Sequence, residues 1–383
     1  MSRGLEKSPY FTADHEAFRD VVARFVAREI EPFAAEWDEA GEFPRELYKK
    51  ASEIGLLQLG FPEDYGGVPC DRFYMIAAAQ ALANAGSGGI AAGLMSHTIG
   101  SPPIAKLGSP ELKQQVLPAV LAGEKISALA ITEPNAGSDV ANLKTSARRE
   151  GDHYVIRGEK TFITSGMRAD YYTVAVRTGE PGLGGISLIV VERNTPGFSR
   201  TPLKKMGWWA SDTATLHFDD CRVPAANLIG KENAGFMAVM LNFNDERLSL
   251  AASSVGFART AYEEALAYAQ LRETFSRPII KHQVIRHKLV DMAQRISATQ
   301  AYLERVAWAL DQGESPVAEL CMLKNQATQT LAFCASEAVQ IFGGAGFMRG
   351  GKAERIYREV KVNAIGGGTE EIMKDLAARQ MGM

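Results

Sequence analysis

Little in this chain of 383 residues points to a metal, a disulfide frame, a bilayer or a nucleic acid. Cysteine is scarce: Cys70, Cys221, Cys321 and Cys334 are scattered, with no CxxC pair among them. That excludes a disulfide-stapled scaffold and a cysteine zinc site, and leads to the expectation of free thiols in a reducing compartment. The six histidines form no HExxH or similar ligand pattern, so no metal is expected. No apolar run is long enough to span a bilayer, so no membrane segment is expected. An excess of one charge is also missing. The net charge of -3 and the lack of a basic tail argue against a nucleic-acid binder. The first sixteen residues hold neither an apolar signal core nor an Arg/Ser-rich presequence, so a cytoplasmic location is expected. There are no internal repeats and no low-complexity segments. What is present, 46% apolar and 23% charged residues, is the composition of an ordinary soluble globular protein with room for two or three domains.

The hydropathy pattern divides the chain into three blocks, an α+β arrangement. Residues 1–126 read as an N-terminal all-helical domain. Phe18, Val21, Val22, Phe25, Val26, Ile30, Phe33 and Trp37 recur at helical spacing. Pro44 suits the first turn of a second helix running to about Gly60. The Gly/Ala-rich stretch from Ile76 to Leu94 predicts two close-packed helices broken at Gly86 to Gly89. Ser109-Pro110-Glu111 is a cap opening a helix to about Leu121. Residues 127–236 change period and read as a middle antiparallel β domain, a barrel or a pair of packed sheets. Here His153–Ile156, a turn at Arg157–Lys160, and Thr161–Thr164 predict strand, turn, strand. Tyr171–Val176, Gly185–Val191 and Thr213–Phe218 are further β-rich runs. Residues 237–383 return to long helices, 236–271, 282–310 and 316–342, as in an up-and-down bundle.

The most informative segment is Ile131-Thr132-Glu133-Pro134-Asn135-Ala136-Gly137-Ser138-Asp139. An apolar run ends at Thr132, Pro134 stops the strand, and Asn-Ala-Gly turns the chain. Two small polar side chains follow, and such a loop offers hydroxyls and free amides to something planar and polar. Taken alone it is also an ordinary turn. A second segment is a decoy. Gly346 to Ala353 nearly spells a phosphate-binding loop, but Ala353 stands where a Ser or Thr would ligate magnesium and the preceding run is helical. Gly344-Ala345-Gly346 fails as a dinucleotide fingerprint, with Arg349 at the third glycine position and no βαβ unit around it. A glycine turn at a helix C-terminus accounts for it.

The 131–139 segment resembles the signature of the acyl-CoA dehydrogenase family, departing at Asn142, where the family usually has a small residue. The likeness extends in order along the chain. Lys160 to Gly166 is similar to the family's second flavin-contacting strand, with Phe162 at a position often held by Trp. Gly207 to Thr213 and Phe218 to Pro224 are family landmarks. Arg272-Glu273-Thr274-Phe275 with His282-Gln283 resembles the segment that reaches the flavin dinucleotide of a neighbouring subunit, and Gln340 to Phe347 resembles the other half of that site. The run Ile365 to Ile372 completes the set.

The resemblance implies FAD as cofactor, held by Leu129, Ile131, Thr132, Gly137, Ser138, Phe162, Ile163, Thr164, Arg272, Thr274, Phe275, His282, Gln283, Gln340, Ile341, Gly343, Gly344, Thr369 and Glu371. It implies an acyl-CoA substrate contacted by Ser138, Phe243, Asn244, Arg247 and Gly368, with Asn244 and Arg247 lining the CoA channel. It further implies an electron-transferring flavoprotein as partner, a role in fatty acid β-oxidation and a homotetramer built as a dimer of dimers. The reaction would be α,β-dehydrogenation of an acyl thioester. A flavin suits the hydride leaving an unactivated carbon better than a nicotinamide does. The same fold also serves acyl-CoA oxidases, nitroalkane-oxidising relatives and non-catalytic or DNA-binding flavin carriers.

Many family members carry their base two residues before the Thr of the C-terminal run, and here that position is Gly367. The isovaleryl-CoA and long-chain types place the glutamate on the long helix that opens the third block, before an arginine, and Glu246-Arg247 matches them. The helical period gives independent support: Phe236, Val239, Phe243, Glu246, Leu250 and Phe257 form one stripe, from which Asp245 is turned away by about 100°. A carboxylate among apolar neighbours has a raised pKa, which suits a general base. A core-edge glutamate paired with a cation is the structural alternative. Gly367 is expected to donate its N–H to the thioester carbonyl. The missing side chains at Gly366 and Gly367 are expected to leave space for a branched or long acyl chain.

Overall fold

Thr12 starts the first helix. Its hydroxyl accepts the His15 amide and its own N–H is taken by the His15 ring, a reciprocal cap for α1 (Ala13–Glu29). The structure, a computed structural model, describes residues 8–383, so the first seven residues, part of the stretch in which no leader is expected, lie outside it. Short helices follow: α2 (Ala34–Ala40), α3 (Glu46–Glu53), α4 (Arg72–Leu82), α5 (Gly88–Leu94), α6 (His97–Gly100), α7 (Pro102–Leu107) and α8 (Pro110–Leu121). Helix α3 ends well short of Gly60, because Gly55 takes a left-handed φ of +80° and turns Leu56 and Leu57 into the core. Ser109 caps α8 as its spacing predicts, accepting the Leu112 amide at 3.2 Å. The chain breaks between α4 and α5 at Gly86–Ser87, and the small residues there admit a neighbour. A Cβ on Gly89 would lie 2.9 Å from the Trp208 Cα.

The middle block is one sheet folded at a corner. Its strands are β1 (Ser127–Ala130), β2 (Ser146–Glu150), β3 (His153–Thr164), β4 (Tyr171–Arg177), β5 (Ile186–Glu192), β6 (Phe198–Pro202), β7 (Thr213–Pro224) and β8 (Leu228–Ile229). The order is β6-β7-β3-β2-β4-β5-β8, with β1 on β4. Strands β2 and β4 meet at a single pair, Ser146 with Arg177, so the two halves pack face to face over a shared core including Tyr154, Ile156, Leu216, Tyr172, Val174 and Ile189. Two expectations are corrected. The sheet is not antiparallel throughout, since β1 runs parallel to β4; both strands set out from Ile126, whose carbonyl accepts the Asp170 and Tyr171 amides. The expected strand, turn, strand at 153–164 is one continuous strand. The register shifts between Ile156 and Gly158 and again between Lys160 and Ile163, and Lys160, expected in a turn, is buried in the protein. The outer face of β4 and β5 packs against α7 and α8. Both faces of these strands are therefore covered, and they read as apolar runs without alternation.

The third block holds α9 (Gly235–Leu271), α10 (Gln283–Asp311), α11 (Val317–Phe342), α12 (Lys352–Ile365) and α13 (Glu370–Gln380). Gly256 lies inside α9 because α4 crosses there: a Cβ would meet the Ala83 Cβ at 2.8 Å. Where the three blocks meet, the buried Glu359 of α12 accepts the Gly88 amide at 2.6 Å and the Trp208 amide at 3.2 Å. Arg355 reaches the Gly86 carbonyl and Arg358 the buried Asp38. Burial pushes the Glu359 carboxyl up to about 7. Among the described residues, no helix is long and apolar enough to cross a membrane, and no cluster of His, Cys, Asp and Glu could hold a metal.

Candidate active site

The loop after β1 is held by its own glutamate. Glu133 and Ala136 exchange backbone hydrogen bonds, which closes the turn that Pro134 starts. The Glu133 carboxylate is buried and accepts the Lys144 and Thr145 amides at 2.6 and 2.9 Å and the Lys160 ammonium at 2.8 Å. Lys160, fully buried, also reaches the Ile131 carbonyl. Burial lowers its pKa to about 8, against the pull of Glu133. Neither residue is singled out by sequence pattern. The loop is joined to β3 by the Thr161 amide on the Thr132 carbonyl, 2.9 Å.

Beside that contact β3 is irregular. Phe162 has φ +60° and its ring is 69% exposed, and Ser165 has φ +58°. Left-handed backbone at a non-glycine residue is held only where the surroundings require it, often at binding sites. Thr132 and Thr164 are half-buried, while Gly137 and Ser138 are exposed at the loop tip. Of the residues expected to contact the cofactor, Ile131, Ile163 and Ile341 are 6%, 3% and 5% exposed, so their side chains belong to the core and their backbone is the part open to a ligand. Leu129, half-buried, packs against the cluster that includes Ile131.

That same cluster joins the loop to the start of α9. Ile131 and Ala136 pack with Ala238, Val239, Phe236 and Phe243. One turn beyond Phe243 stands Glu246. Its Oε2 is buried and has no hydrogen-bond partner among the described residues. Burial raises its pKa to about 7, although Arg247 and Lys324 pull it down. Asp245 faces away, as its helical angle requires, and pairs with Arg72 and Lys106.

The glycine run between α12 and α13 lies against this carboxyl. Gly367 takes φ +65°; a Cβ there would be 3.8 Å from the Glu246 Oε1 and 2.8 Å from the Leu250 Cδ1. The two alternative positions for a base thus adjoin in space. The expected free space at Gly367 is corrected: Leu250, one turn after Glu246, already fills it. Arg247, expected to line the CoA channel, is only 4% exposed, and its guanidinium donates to the Gly367 carbonyl and to the Asn244 side chain. It also lies 5.8 Å over the half-buried Phe243 ring. Gly368 turns at φ +105° and its carbonyl accepts Lys324 at 2.7 Å. Thr369 caps α13, with the exposed Glu371 in its first turn.

The remaining expected cofactor residues gather elsewhere. Tyr268 of α9 stacks on Phe342 of α11 at 4.3 Å, which brings the ends of those helices together. Around that end Arg272, Gln283, Gln340, Gly343 and Gly344 are exposed, and Phe275 is 92% exposed with φ +51°. Thr274 bonds the His282 ring at 3.0 Å. Arg272 caps the end of α9, 26 residues after Glu246, a separation of roughly 39 Å along the helix at about 1.5 Å per residue. The two groups therefore do not form one pocket within a subunit. Two surface concavities, of about 420 Å³ beside Arg295 and Phe333 and about 350 Å³ beside Tyr65 and Pro118, contain none of these residues.

Models of the acyl-CoA dehydrogenase N-terminal, middle and C-terminal domains match residues 12–124, 128–221 and 233–382. The chain is 37% identical to an acyl-CoA dehydrogenase of Bacillus subtilis, covering 97% of this chain and 99% of that one. It is 35% identical to the mitochondrial isobutyryl-CoA dehydrogenase of Bos taurus, over 98% and 91% of the two chains. A solved structure of a probable acyl-CoA dehydrogenase from Mycobacterium abscessus superimposes with a TM-score of 0.96 at 47% identity, covering 97% of this chain and all of that one. The helical, β and helical blocks in this order are that fold. The chain belongs to the acyl-CoA dehydrogenase family and is an oxidoreductase and flavoprotein of that kind.

Proposed function

We propose that this protein dehydrogenates an acyl-CoA thioester to the trans-2-enoyl-CoA with FAD, Glu246 taking the α-proton, and that electrons pass on to an electron-transferring flavoprotein. The observation that carries the reading is the buried, unpartnered Glu246 Oε2 beside Gly367, with a carboxyl pKa near 7. Bound FAD supplies the two-electron acceptor for the hydride leaving the β carbon. The donor set fits such a group: the Thr132, Ser138 and Thr164 hydroxyls and the exposed Phe162 ring stand along one irregular edge, and at Gly343 and Gly344 a Cβ would meet nothing within 4 Å. The Gly367 N–H donates to the thioester carbonyl as enolate charge builds, a role worth about 3 to 4 kcal/mol per donor.

Leu250, and not a void at Gly367, bounds the space beside the reacting carbons, and at Gly366 a Cβ would lie 3.3 Å from the Val362 carbonyl oxygen. A branched or long acyl chain would therefore have to be directed past Leu250. The exposed end of the bundle, with Arg272, Phe275, Gln340, Gly343 and Gly344, supports contact with a cofactor held by a second subunit, as in a dimer of dimers. The reading keeps domain boundaries after residues 126 and 236, supported by the start of β1 at Ser127 and of α9 at Gly235. Anaerobic bleaching of the flavin by a panel of acyl-CoAs tests the whole reading. Reduction by at least one straight or branched thioester is expected; no reduction by any of them sinks it. Hydrogen peroxide formed in step with enoyl-CoA would instead identify an oxidase.

A further inference from the structure

Lys324, in the middle of α11, is fully buried, yet it ends in an ammonium. Its Nζ donates to the Ala364 carbonyl at 3.1 Å and to the Gly368 carbonyl at 2.7 Å. Arg247 holds the carbonyl between them, that of Gly367, at 3.3 Å. Next on α11, Asn325 donates to the Glu370 carbonyl at 2.9 Å. The end of α12, the glycine run and the start of α13 are thus held by two cations and an amide. Holding carbonyls does not require a buried charge, since neutral donors do it at lower desolvation cost. The charge calls for a separate role: two carboxylates act on it, Glu370 of α13 first and Glu246 next, and Glu246 is the one beside the glycine run that Lys324 holds.

We propose that Lys324 is a positioning residue for the dehydrogenation: it fixes the glycine run beside the Glu246 carboxyl and supplies the buried positive charge against which that carboxyl ionises. This rests on Glu246 being the base. The groups facing Glu246 are few. Among the described residues, Arg247 acts on it from its own helix, Lys324 from α11, and Gly367 adjoins it from the run; the Cys321 thiol acts on Arg247 and Lys324, and Glu370 of α13 on Lys324. Asp245 is occupied by Arg72 and Lys106. Burial lowers the Lys324 pKa to about 8, so at neutral pH the ammonium still carries its charge.

The test uses flavin-loaded protein and a 3-thia-acyl-CoA, whose α-proton is acidic and whose sulfur blocks hydride loss. The pH midpoint of α-proton removal is read from the long-wavelength band that the deprotonated ligand gives against the flavin. Lys324→Gln, which keeps donors but no charge, moves that midpoint up by about one pH unit, a tenfold change at fixed pH. Lys324→Arg restores the wild-type midpoint. A Gln variant with an unmoved midpoint overturns the proposal, as does an Arg variant that shifts like Gln or cannot hold flavin. If the Gln variant alone fails to load flavin, the Arg variant decides: a wild-type midpoint supports the proposal and a displaced one overturns it. Glu246→Gln is the control: a band that persists there overturns the base assignment itself, whatever Lys324 does.

Discussion

A carboxyl whose Oε2 is buried with no partner among the described residues is held by the fold at a cost, and at Glu246 the cost depends on pH. Its folded pKa, about 7, lies above the ordinary value of 4.5. Below that ordinary value both folded and unfolded forms are protonated, and the favourable environment of the neutral acid is fully present. As pH rises through the folded pKa the advantage is lost. Replacing the group with a neutral isostere should therefore stabilise the protein in the alkaline range only. Glu246→Gln is expected to raise the unfolding free energy at pH 8 by up to about 3 kcal/mol relative to its effect at pH 4, since each tenfold difference in proton affinity between folded and unfolded chain is about 1.4 kcal/mol. Denaturant titrations at the two pH values check this. The same variant should slow flavin reduction by about 10² to 10⁴, and in the wild type that rate should rise as pH passes 7. Glu246 could be read from the sequence because helical period alone sets it on an apolar stripe. The role of Lys324 and the burial of Arg247 could not. A charged residue in a helix reads as a solvated one, and only the packing of α12 and α13 buries these two.

At the scale of elements, the loop after β1 was legible as a turn with hydroxyls, whereas the Glu133–Lys160 pair that keeps it in place was not. The pair joins a loop to an irregular strand, and no periodic pattern carries that. Removing one member strands the other in the core. Glu133→Ala is expected to cost about 3 to 5 kcal/mol and to release flavin, seen as a lower melting temperature and a lower flavin-to-protein ratio. The glycine run carries a second prediction. Gly367→Ala adds a methyl at left-handed φ against Leu250, at a cost of about 1 to 3 kcal/mol. Leu250→Ala in the same chain should recover the steric part, measured as a positive coupling in a double-mutant cycle. From the sequence the run looked like empty space, because a missing side chain does not reveal which neighbour has moved in. Continuity of β3 was misread for a similar reason: Arg-Gly-Glu-Lys has the composition of a turn, and only a buried counter-charge makes it strand.

For the whole molecule, the three blocks and their order were legible from the change of hydropathy period, while the parallel β1–β4 pair and the contacts between blocks were not. The separation of Glu246 from the Arg272 end of the same helix leads to a test across subunits. Neither Glu246→Gln nor Arg272→Ala subunits alone should be active. Reassembled together, they should regain activity, because a subunit with an intact Glu246 can then borrow an intact Arg272 from its neighbour; turnover after mixing, refolding and flavin loading measures it. The Glu359 junction bears on how the chain can come apart. Gly86 and Gly88 of the first block, Trp208 of the second and α12 of the third all end on one buried set of charges. A fragment made by cutting the chain at either boundary would leave the Gly88 amide and the Asp38 carboxylate unanswered. Heating should therefore melt the three blocks in one calorimetric event, and protease nicks between them should yield no piece that survives by itself.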